Sequence, residues 1–434
     1  MEALYALKLR SIIAAFKQEH FAFWMTCGYL FVEYVRPQSI FPVLDFAPWA
    51  RIFLLLALVG FASDQRSKWV SSPANKWMIL FLLVTIASAF AATYPDASKE
   101  HLMDLVSWVL VYFVLVLNTN TRKRFYLLLL IFLLASFKIS LSLAYKWASR
   151  GFAFTSWGLQ GPPGYFTNSG ELSIQMLVYA PVAFHLYMYI KPHLTRSRRI
   201  AMILMPVTAA MTIIGASSRG AQLGLVHQVY DFFLKGRLSV RSILLTVIMG
   251  FLVYHFVPEE QKQRFSNAGD DKTSEQRLRY WKRGIEMIEE HPGLGIGYFN
   301  FIPYFEANYR SDMLYEQAQL PHNIFIQIGT DSGLTGLFIY LMLIVNVFGH
   351  NARTKKIAEG LGEQGGYFIA MTRGLNAGTI GFLIAGQFVT VGYYPFLWVN
   401  LAFSVALNNV CAREAKAAGV EKAGAGRGQL GLAR

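Results

Sequence analysis

Apolar stretches recur along the whole chain and are separated by shorter polar segments. A helix needs about 20 mainly apolar residues to cross the ~30 Å hydrocarbon layer of a membrane. The pattern predicts about twelve such spans, and the predicted fold class is therefore an all-α polytopic membrane protein. The predicted spans cover residues 21–35, 47–63, 77–92, 101–118, 125–145, 171–190, 200–216, 220–235, 242–257, 322–348, 367–390 and 394–411.

The basic residues between the spans predict the orientation. With the N-terminus inside, 24 Lys and Arg residues lie in segments that face the cytoplasm, whereas five lie in the smaller outer loops. Because cytoplasmic loops carry the excess of Lys and Arg, both termini are predicted to be cytoplasmic. Residues 1–20 combine Lys8, Arg10 and Lys17 with leucines and isoleucines, which predicts an amphipathic helix on the inner membrane surface.

The same pattern divides the chain into four parts. Residues 1–257 hold nine spans and the amphipathic helix, and 321–411 hold the last three spans. Between them, 258–320 form a large outer loop with eight Lys and Arg residues. Long loops escape the charge rule, so these cations either bind an anion or form a solvated surface. Residues 412–434 are an Ala/Gly/basic tail that is predicted to be disordered.

Composition excludes several classes of protein. The chain has 434 residues, 54% hydrophobic and 15% charged, whereas soluble proteins carry about 25% charged residues. The net charge of +14 comes from short basic clusters between apolar runs, so nucleic-acid binding is not predicted. Cys27 and Cys411 lie in apolar runs and are predicted to be buried thiols. Motifs for metals, such as HExxH or CxxC, do not occur, and no metal or other cofactor is predicted.

The large loop contains a predicted helix. The stretch "TSEQRLRYWKRGIEMIEEHPGLGIG" (273–297) opens with a possible capping box and is ended by Pro292. Arg277, Arg279 and Arg283 lie on it, and a guanidinium is well suited to bind phosphate. A packing arginine that extends its charge to solvent is the alternative. Arg277 shares the apolar stripe that is predicted to face the protein, which consists of Leu278, Trp281, Ile285 and Ile288.

Three further cations lie at membrane depth or at its boundary. Arg219, in "GASSRGAQLG" (215–224), joins two spans at the outer boundary with almost no loop. It either caps a hairpin or binds the pyrophosphate of a lipid. Arg51 begins the second span and Lys138 lies within the fifth. Such residues are functional candidates by default, and the alternative is a pair with a carboxylate or extension of the side chain to the interface.

The stretch "PHNIFIQIGTDSGLTG" (321–336) places His322 at the predicted start of the tenth span. Pro321 precedes it, and proline is preferred as the first residue of a helix. A helix N-terminus disfavours imidazolium, so His322 is predicted to be neutral and able to accept a proton. A satisfied polar residue at a helix start is the alternative. Downstream, an interruption is predicted at 331–333, and three glycines are predicted to share one face: Gly329, Gly333 and Gly336.

Three motifs together resemble a known family. They are "QRLRYW", "HPGLGIGYFNF" and "PHNIFIQIGTDSGLTG", in a chain with many spans and one large outer loop late in the sequence. This combination resembles the O-antigen ligase/polymerase superfamily of bacterial envelope glycosyltransferases. By motif position, Arg277 resembles the family's large-loop arginine, His322 its loop-end histidine and Arg219 the arginine after the preceding hairpin.

The resemblance implies a GT-C-type fold with a periplasmic active site in the bacterial inner membrane. It implies metal-independent, inverting transfer of a glycan from undecaprenyl pyrophosphate to lipid A–core oligosaccharide, among membrane lipids. Arg219 and Arg277 would hold the pyrophosphate, and His322 would orient or deprotonate the acceptor hydroxyl. Weaker candidates for substrate binding are Arg279, Arg283, Asn323, Arg51 and Lys138.

Other functions remain open at this stage. An O-antigen polymerase or a protein O-glycosylation ligase would have the same fold and a different acceptor. A transporter or lipid flippase is a more distant alternative, and it would predict paired interrupted helices in two related halves with a site near the membrane midplane. The candidate residues instead lie on the outer side, and the sequence has no visible repeat.

Overall fold

A computed structural model describes residues 1–64, 68–155, 157–234 and 272–420. Every regular element in these ranges is helical. The α-helices are α1 (Glu2–Tyr5), α2 (Leu9–Lys17), α3 (Phe21–Val35), α4 (Pro37–Ile40), α5 (Trp49–Ser63), α6 (Pro73–Phe90), α7 (Pro95–Asn118), α8 (Arg122–Ser149), α9 (Ser169–Ile190), α10 (Arg196–Gly215), α11 (Arg219–Leu234), α12 (Lys272–Glu290), α13 (Phe301–Asn308), α14 (Ile324–Gly360), α15 (Gly366–Ala385) and α16 (Pro395–Ala417).

Eight of the described helices are long and apolar enough to cross a membrane, namely α6 to α10 and α14 to α16. Helices α3, α5 and α11 coincide with three more predicted spans but are shorter, with 15, 15 and 16 residues. The predicted span 242–257 lies outside the described residues. The polytopic, all-helical class is thus confirmed, whereas the number twelve and the GT-C-type arrangement stay predictions.

Three predicted boundaries are corrected. Helix α14 starts at Ile324 and continues to Gly360, well beyond the predicted 322–348. Helix α16 extends to Ala417, so the first residues of the predicted tail 412–434 are helical; the tail from 421 onward lies outside the described residues. The N-terminal segment forms α1 and α2 rather than one helix, because Leu7 takes a left-handed backbone conformation between them (φ 51°).

Buried charges tie together the end of the bundle at which α8 begins. The Nε of Arg124 donates to Glu19 Oε2 at 2.6 Å, and its Nη2 lies 2.8 Å from Asp64 Oδ2. All three side chains are at most 3% exposed. Lys123 Nζ lies 2.5 Å from Glu19 Oε1. Since a buried charge is costly without its partner, this network fixes the chain before α3, the end of α5 and the start of α8 to one another.

At the opposite end of the bundle, α14 is kinked. Gly333 has φ 65° and ψ −169° inside the helix, which confirms the interruption predicted at 331–333. Ile296 N donates to Thr330 O and Leu334 N donates to Pro292 O, both at 2.8 Å. The turn after α12 therefore supplies hydrogen-bond partners where the kink breaks the helical ladder.

Glycines allow this close approach. A Cβ on Gly295, which has φ +71°, would lie 2.2 Å from Thr330 O. A Cβ on Gly333 would lie 2.6 Å from Pro292 O, whereas Gly329 abuts Ile288 of α12 and Gly336 abuts Ser332 of its own helix. Gly329 and Gly333 therefore both face α12 and the turn after it, whereas Gly336 packs against its own helix, so the predicted common face of the three glycines is wrong for Gly336.

The protein-facing side of α12 also differs from the prediction. Leu278 and Ile285, two members of the predicted apolar stripe, are 56% and 50% exposed. The buried residues are Gln276, Tyr280, Gly284 and Met287. Tyr280 is buried because α13 packs aromatic rings against it. Gly284 is buried because α14 approaches closely there, and a Cβ at this position would lie 2.4 Å from Ile326 Cγ2.

Candidate functional site

His322 lies just before the first turn of α14. The side chain of Asn323 caps this helix by accepting from Phe325 N at 2.9 Å and Ile326 N at 3.2 Å. Pro321 is therefore not the first helical residue, and the predicted position of His322 shifts to the residue before the cap. Its backbone is left-handed (φ 53°) and its N–H donates to Thr390 Oγ1 at 2.8 Å. The Asn323 cap and the hydrogen bond to Thr390 together fix the backbone position from which the imidazole extends.

The imidazole is only partly accessible and lies near a positive charge. Burial, and secondly the charge of Arg277, lower the pKa of His322 from 6.5 to about 4. His322 is therefore neutral at neutral pH, as predicted from the sequence. The physical cause differs from the prediction, because burial and Arg277 dominate rather than the helix terminus.

Helix α12 holds the segment that carries His322. Trp281 Nε1 donates to Pro321 O at 2.9 Å, and Tyr280 Oη accepts from Gln319 N at 2.9 Å. Gln319 Oε1 lies 3.3 Å from His322 Nε2. Arg277 is one helical turn before Trp281, so these contacts place it on the side of α12 that faces the histidine.

Arg219 comes from a different part of the chain and meets the same helix. It is the first residue of α11, after a tight turn in which Ser217 is left-handed (φ 58°). Its Nη2 donates to Ser274 Oγ at 3.2 Å. Ser274 and Arg277 are three residues apart and lie on one face of α12. Arg219, Arg277 and His322, separated by up to about 100 residues in sequence, therefore meet around the first two turns of α12.

The other two loop arginines have carboxylate partners. Arg279 Nη2 lies 2.6 Å from Glu275 Oε1. Arg283 Nε donates to Asp312 Oδ2 at 2.6 Å and its Nη1 donates to Glu286 Oε2 at 2.7 Å. Of the three arginines that the sequence left undecided, Arg277 is the one whose charge acts on His322.

Arg51 and Lys138 are placed elsewhere. Arg51 Nη2 lies 3.9 Å from Asp104 Oδ1, and both side chains are at least half exposed. Lys138 is exposed on α8, on the side that also exposes Leu134 and Leu141. Arg51 thus takes the carboxylate pairing named above as an alternative.

Several residues of the site carry no sequence signal. Ser274, Gln319 and Thr390 are ordinary polar residues, and Thr390 lies 68 positions from His322. Trp281 was assigned to a packing stripe, although its indole N–H holds the loop. In the described ranges, no group of three His, Cys, Asp or Glu side chains could hold a metal ion.

The arrangement combines two guanidinium groups with a neutral imidazole at the end of the bundle where α14 begins. Guanidinium groups bind phosphate oxygens through paired, charge-assisted hydrogen bonds. A neutral imidazole with a free ring nitrogen accepts a proton from a hydroxyl group. The site can therefore bind a diphosphate and activate a hydroxyl beside it.

Comparisons with protein families divide the chain into two blocks. Residues 200–341 match the family model described as O-Antigen ligase, and this range contains Arg219, Arg277 and His322. Residues 3–191 match a family of unknown function, DUF5935. No curated protein matches the chain. The ligase match covers the segments that carry Arg219, Arg277 and His322, and it supports membership of the O-antigen ligase superfamily and a function of ligase or polymerase type in polysaccharide synthesis.

Proposed function

We propose that the protein is an O-antigen ligase of the bacterial inner membrane. It transfers a polysaccharide from undecaprenyl pyrophosphate to a hydroxyl group of lipid A–core, at the periplasmic face, with both termini in the cytoplasm. The observation that carries the proposal is the meeting of Arg219, Arg277 and His322 around α12. Two permanent cations beside a neutral base fit a diphosphate leaving group next to a hydroxyl nucleophile.

In the proposed reaction, Arg219 and Arg277 bind the pyrophosphate. As the bond between C1 of the donor sugar and the phosphate oxygen breaks, negative charge grows on the leaving group, and the fixed guanidinium groups stabilise it. The acceptor oxygen forms the new bond to C1 from the opposite side, which inverts the anomeric centre. Its proton passes to a ring nitrogen of His322, and undecaprenyl pyrophosphate leaves. No metal ion is required in this scheme, because the arginines carry the charge stabilisation.

Replacing Arg277 with alanine tests the proposal. We expect the rate of transfer to fall about 10²- to 10³-fold, the usual effect of losing one electrostatic stabiliser of a transition state. Lys282→Ala is the matched control, since Lys282 is an exposed cation on the same helix. Each variant is expressed in a deletion strain, and the lipopolysaccharide ladder is measured on a gel beside the abundance of the protein.

The same gel separates the alternatives. A full ladder in normally abundant Arg277→Ala protein would refute the assigned site. If the wild-type chain never restores a ladder, the acceptor is a growing polymer or a protein rather than lipid A–core.

For a transporter or flippase, photolabelling with a lipid-pyrophosphate probe would mark residues near the midplane, whereas the transferase predicts labelling of α12 and residues 319–322.

The pH dependence follows from the lowered pKa of His322. Because its pKa in the free enzyme is about 4, the histidine stays neutral and competent above that pH and is protonated below it. We expect kcat/KM to decline only as the pH falls through about 4, instead of near 6.5. Bound pyrophosphate offsets the charge of Arg277, so the acid limb of kcat should lie at higher pH. Initial rates in reconstituted membranes between pH 3.5 and 8 measure both limbs, and a kcat/KM limb near 6.5 contradicts the assignment.

A further inference from the structure

A second polar group lies at the same end of the bundle, beside the site described above. Glu33 belongs to the last turn of α3 and is 9% exposed. Its charged neighbours are Arg36 and Asp104. Within the described part of the chain, the Glu33 carboxylate accepts no hydrogen bond and makes no ion pair closer than 4 Å. Its oxygens are not among the fully buried atoms that lack a partner, so a ligand can reach them and supply the hydrogen-bond donors that a largely buried carboxyl group needs.

The loop that connects α8 to α9 closes over this carboxylate. Arg36 has a left-handed backbone (φ 52°) and its Nη1 donates to Pro163 O in the loop. Gly164 has φ +98°, and a Cβ there would overlap the Arg36 guanidinium at 1.2 Å. The turn "GPPG" (161–164) is therefore shaped around Arg36, and the next residue, Tyr165, is directed toward the α3 and α7 side by this clamp.

Two partly exposed aromatic rings form the opposite wall. Tyr165 and Tyr394 lie edge to face with centroids 5.0 Å apart, and Trp108 of α7 supports Tyr165 at 5.1 Å. Tyr394 Oη donates to Glu171 Oε1 at 3.1 Å, which fixes its ring. The group thus combines flat apolar faces with carboxylates, the mixture that a site for a small polar ligand needs.

A short stretch of chain joins this group to His322. Thr390 accepts the hydrogen bond from His322 N, and Tyr394 lies four positions after it. Four residues span at most about 14 Å. The intervening Tyr393 packs on Tyr298 with ring centroids 4.8 Å apart, so the stretch is held in place. The second group therefore lies within the reach of a short oligosaccharide whose terminal hydroxyl is at His322.

The charges of the two groups differ in a way that assigns them different ligands. Arg219 and Arg277 attract a diphosphate, whereas the second group balances its two carboxylates with Arg36 and Arg51. A group with little net charge suits neutral hydroxyl groups, whose hydrogen bonds Glu33 and Asp104 can accept. Sugar rings also present apolar faces that can rest on tyrosines. We propose that Glu33, Asp104, Tyr165 and Tyr394 form the acceptor subsite, which binds a sugar of the acceptor glycan and presents its hydroxyl to His322. This inference rests on the proposed function.

Kinetics of two carboxylate variants test the subsite. For Glu33→Gln and Asp104→Asn we expect the KM for the acceptor to rise about 10- to 100-fold, the effect of weakening a hydrogen bond to a charged group. The KM for the lipid-linked donor should stay within twofold of the wild-type value. Asp96→Asn is the matched control, because Asp96 lies on the same helix as Asp104 with its side chain 97% exposed. A fall in kcat alone, with an unchanged acceptor KM and a lower unfolding temperature, would show a structural role and overturn the proposal.

A binding experiment separates the subsite from the proposed function. A photoreactive benzoylphenylalanine at position 165 is irradiated with labelled core oligosaccharide in the absence of donor, and the same group at Trp157, 79% exposed, serves as the control. Crosslinking at 165 that unlabelled core oligosaccharide competes away, and that Glu33→Gln diminishes, supports the subsite even if transfer to lipid A–core fails. Absence of crosslinking at 165 in protein that does transfer to lipid A–core overturns the subsite and leaves the proposed function intact.

Discussion

Replacing His322 with asparagine is expected to lower the rate of glycan transfer about 10²- to 10⁴-fold, the usual contribution of a general base. Asparagine adopts left-handed backbone geometry more readily than most residues, so the variant keeps the φ of 53° and the hydrogen bond to Thr390. It loses the ring nitrogen that accepts the proton, together with the 3.3 Å contact between Nε2 and Gln319 Oε1. The measurement is the initial rate of transfer in reconstituted membranes, at a pH above 5 where the wild-type histidine is neutral.

A neighbouring histidine supplies the control for this experiment. His291 ends the helical stretch of the same loop and is exposed, with its Nε2 3.4 Å from Tyr304 Oη. We expect His291→Asn to transfer glycan within about twofold of the wild-type rate, since surface substitutions rarely matter. Transfer at the wild-type rate by the His322→Asn variant would show that His322 is not the general base, and this conclusion would hold independently of the results for the arginine variants.

Replacing Gly295 with alanine is expected to be the most damaging change outside the reacting groups. The new Cβ would lie 2.2 Å from Thr330 O and 2.7 Å from Gly333 N, at a backbone φ of +71°. Those neighbours are backbone atoms of the kink, which cannot rotate away as a side chain can. Overpacking together with left-handed strain costs on the order of 3 kcal/mol or more. Thermal unfolding of the purified protein in detergent should show a lowered midpoint, with little folded protein recovered.

Gly293, two residues earlier in the same turn, is the matched control for Gly295. A Cβ on Gly293 meets no heavy atom within 4 Å, and its φ is not in the left-handed region. Gly293→Ala should therefore unfold within a few degrees of the wild-type protein. Equal unfolding temperatures for the two alanine variants would mean that the contact between the turn and the kink does not hold the structure together.

The helices were predictable from sequence because a membrane span is a long apolar run. The runs at 125–145 and 394–411, for example, correspond to α8 and α16 with extended ends. The kink was also predictable, since Asp331, Ser332 and Gly333 interrupt the apolar pattern. Boundaries failed where polar residues continue a helix beyond the apolar part, as at the end of α14, because hydropathy does not report hydrogen bonding.

The orientation of α12 was harder to predict, because its buried face is not apolar. Gln276 and Gly284 are buried, whereas Leu278 and Ile285 are exposed. Gln276 is buried because its side-chain amide oxygen accepts a hydrogen bond from Leu314 N in the loop. Gly284 is buried because α14 approaches too closely there for a larger residue. Which of Arg277, Arg279 and Arg283 faces His322 therefore depends on contacts with residues that lie 29 and 40 positions away in sequence.

One residue of the acceptor subsite has a recognisable signal in the sequence. Glu33 is an acidic residue inside a predicted span, and ionisable residues there are functional candidates. Its partners could not be foreseen, because Asp104 and Tyr165 come from a different helix and from the connection after α8. Contacts between distant segments, such as Thr390 with His322, leave no local pattern in the sequence.

The buried network around Arg124 bears on how the chain is assembled in the membrane. Glu19 and Asp64 are synthesised long before Arg124, their common partner. Until the ribosome has made residue 124, both carboxylates lack the guanidinium group that they share, and burying them without it is costly. Helices α3, α5, α6 and α7 are therefore synthesised before this end of the bundle can close, and we expect the N-terminal turn of α8 to complete their packing.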